Sequence, residues 1–159
     1  MKYFGMFCHG FNDPDGLTPG GVEQVGQTLQ ALVAALDFSR VERIHVSGSE
    51  APQGVATVNM IADVLRKHKP QVCASIQTPA SWEADPRWKQ RAYAAAGHAM
   101  CDLTILVGHR YWFHKENRYL VALREVFELA PDALILAEEL VFGHAVLHDC
   151  ETGSSQLLC

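Results

Sequence analysis

The chain has 159 residues, 48% hydrophobic and 19% charged, with a formal net charge of -5. That length fits one domain, residues 1–159, and that apolar content supports a sizeable core, which excludes a disordered chain. The acidic balance argues against the basic face of a nucleic-acid binder, but it leaves room for a pocket with a few local cations.

The first element is an apolar run, Tyr3 to Phe7, that stops at Cys8-His9-Gly10. A buried strand ending this way delivers one histidine to the rim of a sheet. The glycine behind it lets the backbone turn and leaves room for a ligand. Phe11 to Gly16 is rich in Asn, Asp, Pro and Gly and reads as a loop. Thr18 then has the chemistry of an N-cap, with Pro19 at the first helical position. Val22, Val25, Leu29, Leu32, Val33 and Leu36 follow at helical spacing, so a helix is expected over residues 19–36.

Arg43 to Ser47 is a second strand, and a helix from about Gly54 to His68 follows, with Val55, Val58, Ile61, Ala62 and Leu65 on one face. Lys67, His68 and Lys69 suit its carboxyl end, and Pro70 stops it. Val72 to Ile76 is a third strand. A loop with Trp82, Glu83, Asp85 and Pro86 leads to an Ala-rich helix over about 86–100. Leu103 to Val107 is a short buried strand ending in Gly108-His109-Arg110. A helix over about 116–129 is closed by Pro131. Leu134 to Leu136 and Leu140 to Leu147 have strand character, Asp149 to Gly153 is a turn, and Gln156 to Leu158 is an edge strand.

Strands alternating with helices imply an α/β fold in three layers: a mostly parallel central sheet with helices on both faces. Ligands of such sheets bind beyond the carboxyl ends of strands, where His9 and His109 both fall. No run approaches the roughly 18 apolar residues of a membrane span, and no secretory signal pattern is visible. A cytoplasmic protein without membrane or nucleic-acid partners is therefore expected. The five cysteines are Cys8, Cys73, Cys101, Cys150 and Cys159. Odd in number and without a Cys-x-x-Cys pair, they suggest free thiols rather than a disulfide framework or zinc ribbon.

The motifs together resemble the histidine phosphatase, or phosphoglycerate mutase-like, superfamily, in its short SixA-like branch. The residues that carry the resemblance are Phe7-Cys8-His9-Gly10, Leu17 to Gln24, Ile44 to Ser49, Ala56-Thr57-Val58 and Leu106-Val107-Gly108-His109. They occur in the family's order and at near-family spacing. The resemblance implies that His9 is the phosphoryl-accepting nucleophile and His109 the second pocket histidine. It also implies an acidic proton donor, for which Glu83 is the candidate, with Asp85 and Glu50 as alternatives. Gly10 and Asn12 would border the substrate, and no cofactor or metal is implied.

The sequence departs from the family at both phosphate-binding arginines. Cys8 stands where the first belongs, and Gln53, four residues before Thr57, falls near the second. Phosphoryl transfer depends on positioning and on stabilising negative oxygens. A bidentate guanidinium does both, and neither Cys nor Gln carries its charge. Loss of one such stabiliser typically costs about 10²–10³ in rate. Arg110 offers a replacement charge from the other side of the pocket; the competing reading is a solvated loop residue. The same surface reading competes for His114, Lys115 and Arg118.

Other chemistries weigh less. Cys8, His9 and His109 supply only three metal ligands at no finger-like spacing. A Cys8 thiolate paired with His109 competes with the ordinary role of buried Cys as a small hydrophobe. His45, His98, His144 and His148 read as structural or surface residues, and Trp82 and Trp88 as core or pocket wall. Two functions follow. One is a degenerate member, weakly active or inactive, kept as a binding or regulatory domain with a protein partner. The other is a working phosphatase for a small phosphorylated molecule or a phosphoprotein, with Arg110 as relocated clamp.

Overall fold

The structure, a computed structural model, describes residues 2–68, 70–77, 101–113, 121, 124 and 129–159. Its centre is a six-stranded sheet in the order β5-β4-β6-β1-β7-β8. The strands are β1 (Tyr3–Cys8), β4 (Arg43–Ser49), β5 (Gln71–Gln77), β6 (Leu103–Gly108), β7 (Ala145–Asp149) and β8 (Ser155–Leu158). A two-stranded ribbon, β2 (Asn12–Asp13) and β3 (Gly16–Leu17), lies in the loop after β1. The pairs β5-β4, β4-β6 and β6-β1 are parallel, whereas β1-β7 and β7-β8 are antiparallel. The α/β, mostly parallel reading therefore holds, with two antiparallel strands added along one side.

Strand alternation sorts the side chains to the two faces. Phe4, Met6 and Cys8 enter one core with Leu106, Trp112, Phe113 and Val146. Tyr3 and Phe7 enter the other with Ile105 and Val107. Helix α1 (Pro19–Ala35) covers the second face through Val25, Leu29 and Leu32. It starts as the sequence indicates: Thr18 is the N-cap, Pro19 opens the helix, and Gly21 N–H donates to Thr18 Oγ1 at 3.1 Å. Val22, expected inward, is exposed. Helix α2 (Pro52–Arg66) adds Val58, Ile61 and Leu65 to the same core and begins two residues before the expected Gly54.

Helix α3 (Pro131–Glu138) packs on the first face. This corrects the strand expected over Leu134 to Leu136. An unbroken apolar run, here Ala133 to Ala137, cannot separate helix from strand by periodicity. Pro131 sits at the first helical position, where its missing N–H costs nothing, so it opens a helix. The later strand starts at Ala145, not Leu140. The helix expected over 86–100 lies outside the described residues. So does most of that over 116–129, within which 121 and 124 are helical. Among the described residues, no helix is long and apolar enough to cross a membrane.

Strand β6 comes late in the chain yet lies between β1 and β4. Asp102, just before it, ties the three together at their amino ends. Its carboxylate accepts from the N–H groups of Glu42 and Arg43 at 2.9 and 3.1 Å and pairs with Lys2 at 3.5 Å. Burial alone would raise the Asp102 pKa, but these amides and Lys2 hold it below the usual carboxylate range.

Two glycines of α1 should respond oppositely to alanine. A Cβ on Gly21 would collide with the Phe11 backbone, 2.9 Å from its C and N atoms, whereas a Cβ on Gly26 meets nothing within 4 Å. Gly21→Ala is expected to destabilise by about 1–3 kcal/mol through overpacking. Gly26→Ala should stabilise by about 0.8–1 kcal/mol through helix propensity. Denaturant unfolding of both variants measures the contrast.

Candidate functional site: a histidine pair at the sheet edge

Parallel pairing brings the two predicted histidines together. Cys8 of β1 lies opposite Gly108 of β6, so the next residue of each strand emerges level with the other. His9 N–H donates to Gly108 O at 3.2 Å, and Gly143 N–H donates to His9 O at 3.0 Å. The histidine backbone is thus held from both neighbouring chain segments.

The ring is held as firmly. His9 Nδ1 lies 2.9 Å from Gly10 O, and a carbonyl oxygen only accepts. Nδ1 therefore carries the proton, and Nε2 presents a lone pair. His9 Nε2 lies 3.0 Å from His109 Nδ1. With both rings neutral, His109 is the donor in this bond. His9 is only 3% exposed. Burial lowers its pKa and the Gly10 bond opposes that. Burial, and then the nearby His9 charge, lower that of His109.

The pair sits within a chain of aromatic rings. Trp112 contacts His109 edge-on with centroids 5.5 Å apart, and His109 meets His9 edge-on at 4.9 Å. Phe142 tilts against His9 at 5.4 Å, and Phe11 tilts against Phe142 at 5.4 Å. The chain runs from the buried Trp112 to the half-exposed Phe11. Phe142 and Trp112 were absent from the sequence reading. The missed signal was Gly143, whose φ of +78° breaks the supposed strand over 140–147 and turns Phe142 toward His9.

Gly10 earns its place by close approach. A Cβ there would lie 2.5 Å from Gly21 O. The loop after His9 therefore rests backbone on backbone against the first turn of α1.

Comparison of the sequence with family profiles and with curated proteins finds no match. Comparison with solved structures does. A proposed phosphohistidine phosphatase, SixA, from Agrobacterium tumefaciens superposes with a TM-score of 0.58 at 13% identity, over 99% of this chain and 96% of that one. A second proposed SixA, from Nakamurella multipartitia, gives 0.53 at 16% identity over 99% and 94%. The product of an open reading frame of Mycobacterium tuberculosis gives 0.51 at 14% identity over 99% and 96%. The chain has the SixA-like histidine phosphatase fold.

Within that histidine phosphatase fold, the expected site residues are spread unevenly. His9, Gly10 and His109 meet, as described. The side chain of Cys8 is fully buried among Phe4, Met6, Leu106 and Trp112. Desolvation pushes its pKa up to about 12, against a smaller lowering by Arg110. Cys8 is thus a neutral thiol in an apolar core.

Arg110 opens a 3-10 turn (Arg110–Phe113) and is exposed. Among the described residues it forms no ion pair. Gln53 is half-buried in the first turn of α2, its carbonyl accepting from Thr57 Oγ1 at 2.8 Å. Asn12 is exposed on β2, and Glu50 is exposed just past β4. Glu83, with Asp85, Trp82, Trp88, His98, His114, Lys115 and Arg118, lies outside the described residues. His45 and His148 are buried and bond Ser75 and Ser155, as structural histidines do. No group of three metal-binding side chains exists among the described residues. A cleft of about 550 Å³ lined by Phe38, Val41, Glu42, Arg43, His68, Pro70 and Gln71 lies at the opposite edge of the sheet, at the start of β4 and β5, away from the histidine pair.

The two lowered histidine pKa values have a definite sign. Below the ordinary value of 6.5 the unfolded chain takes up protons that the folded pair resists. Their contribution to stability is therefore complete above that pH and is lost as pH falls through the window between the unfolded and folded values. Imidazole C–H resonances of both residues should titrate below 6.5. Replacing His9 with Asn should flatten the fall in denaturation midpoint between pH 7 and pH 5.

Proposed function

We propose that the chain is a phosphoryl-recognising domain with weak or no turnover, retained for binding or regulation. The observation that supports this reading is the His9–His109 pair, held at 3.0 Å beside a position 8 whose side chain is a buried neutral thiol and not a cation. A phosphorylated small molecule or protein segment would place its phosphoryl oxygens against the pair.

A second reading has one observation in its favour. The Arg110 charge is felt at the Cys8 thiol, close to where the resemblance expects a guanidinium. If Arg110 holds the oxygens, the chemistry is an in-line displacement. Once the His109 N–H turns from it to a phosphoryl oxygen, the His9 Nε2 lone pair forms an N–P bond as the P–O bond to the leaving group breaks. The departing oxygen takes a proton from an acid, for which Glu83 is the candidate. Water then attacks phosphorus, its proton passing to the carboxylate left by the acid, and the N–P bond breaks, releasing inorganic phosphate and restoring the lone pair.

Restoring charge separates the readings. Gln53→Arg puts a guanidinium into the first turn of α2, where the side chain is half-buried. Under the first reading it should raise phosphomonoester turnover by about 10²-fold. Wild-type turnover that is lost in His9→Ala and Arg110→Ala, and unimproved by Gln53→Arg, would instead establish the second. Inorganic phosphate should shift the His9 imidazole resonances under either reading. If it does not, the site is not a phosphoryl site.

Restoring the other position should fail for a physical reason. Cys8→Arg drives a charge into the apolar core around Phe4 and Trp112 unless the side chain escapes round the strand end. A loss of about 3–5 kcal/mol is expected in unfolding experiments.

A further inference from the structure

The ring chain leading out from His9 bears on what the phosphoryl group is attached to, given the phosphoryl-recognising reading above. Phe142 lies directly against His9, and Phe11 lies beyond it at the surface, both with centroids 5.4 Å apart from the preceding ring. Phe11 is 50% exposed, so half of a large apolar side chain faces water beside the site. It is not there by accident of a floppy loop. Its N–H donates to Gln24 Oε1 at 3.2 Å, and its carbonyl accepts from Thr18 N–H at 2.9 Å and from Thr18 Oγ1 at 3.2 Å. The cap of α1 therefore fixes the backbone that carries the ring, and Gly21 allows it to pack that closely.

We propose that Phe11 and Phe142 form a specificity wall that selects a phosphoryl group carried on a flat, apolar ring. The phosphoryl oxygens would meet the His9–His109 pair while the carrier ring lies along the exposed Phe11. Tilted and offset contacts of this kind are favourable between aromatic rings and are lost with an aliphatic or highly hydrated carrier. Aryl phosphates occur both as small molecules and as a phosphorylated tyrosine side chain, and the wall recognises the chemistry they share.

Non-hydrolysable phosphonates test this without requiring turnover. Phenylphosphonate and methylphosphonate are titrated into the whole protein, with binding read from the His9 imidazole resonances. The wild type is expected to prefer phenylphosphonate by about tenfold, the ratio equivalent to about 1.4 kcal/mol. Phe11→Ala, at a half-exposed position, should bring that ratio close to one. Phe142→Leu, which keeps apolar bulk, should lower it partially. Equal binding of the two phosphonates by the wild type, or a ratio untouched in Phe11→Ala, overturns the wall while leaving the phosphoryl-recognising reading in place. Binding of neither phosphonate overturns both. A third arm uses a short peptide bearing a phosphonate analogue of phosphotyrosine. Tighter binding than phenylphosphonate supports the wall and identifies a protein source for the ring; no gain supports a small molecule.

Discussion

The site depends on where β6 inserts. Strands β1 and β4 are consecutive main strands in the chain, yet β6 separates them in the sheet. Its parallel register with β1 sets Gly108 against Cys8 and so places His109 beside His9. A register slip of one residue would send one imidazole to the opposite face, because side chains alternate along a strand. The Asp102 contacts to Glu42, Arg43 and Lys2 pin the amino ends of the same three strands. What fixes the histidine pair at one edge is therefore partly a carboxylate at the other.

At the edge that carries the histidine pair, hydrogen bonds set the geometry. The Gly10 carbonyl selects the His9 tautomer, and His109 completes the bond to the other nitrogen. These contacts need no formal charge. Position 8, next to His9 in the chain, holds a buried neutral thiol. The fold by itself assigns no turnover, because activity lives in the site.

Much of this was legible in the sequence, for local reasons. Cys8-His9-Gly10 and Gly108-His109 each follow an apolar run, and strand ends in a parallel sheet are where such residues converge. Thr18-Pro19 wrote the start of α1 in capping chemistry, and the structure follows it to the residue. The run Ala133 to Ala137 was not legible, because a continuous apolar segment carries no period and Pro131 suits either a stop or a start. Phe142 was hidden by reading a strand through Gly143, whose positive φ interrupts it. The reach of the Arg110 charge to Cys8 was beyond the sequence altogether, since it depends on how a 3-10 turn leaves β6.

The late insertion of β6 also sets an order of assembly. His9 and His109 are separated by 100 positions. During synthesis the first strand, its helix, β4 and α2 are all complete before β6 exists. Their sheet edges must then stay apart, or part again, for β6 to enter between them. Long-range parallel pairing of this kind closes late and exposes strand edges while it waits. His9 is therefore made long before His109, and the pair forms only once β6 is in place. A chain stalled before residue 103 would carry its nucleophile candidate on an open edge, prone to pair with β4 or with another chain.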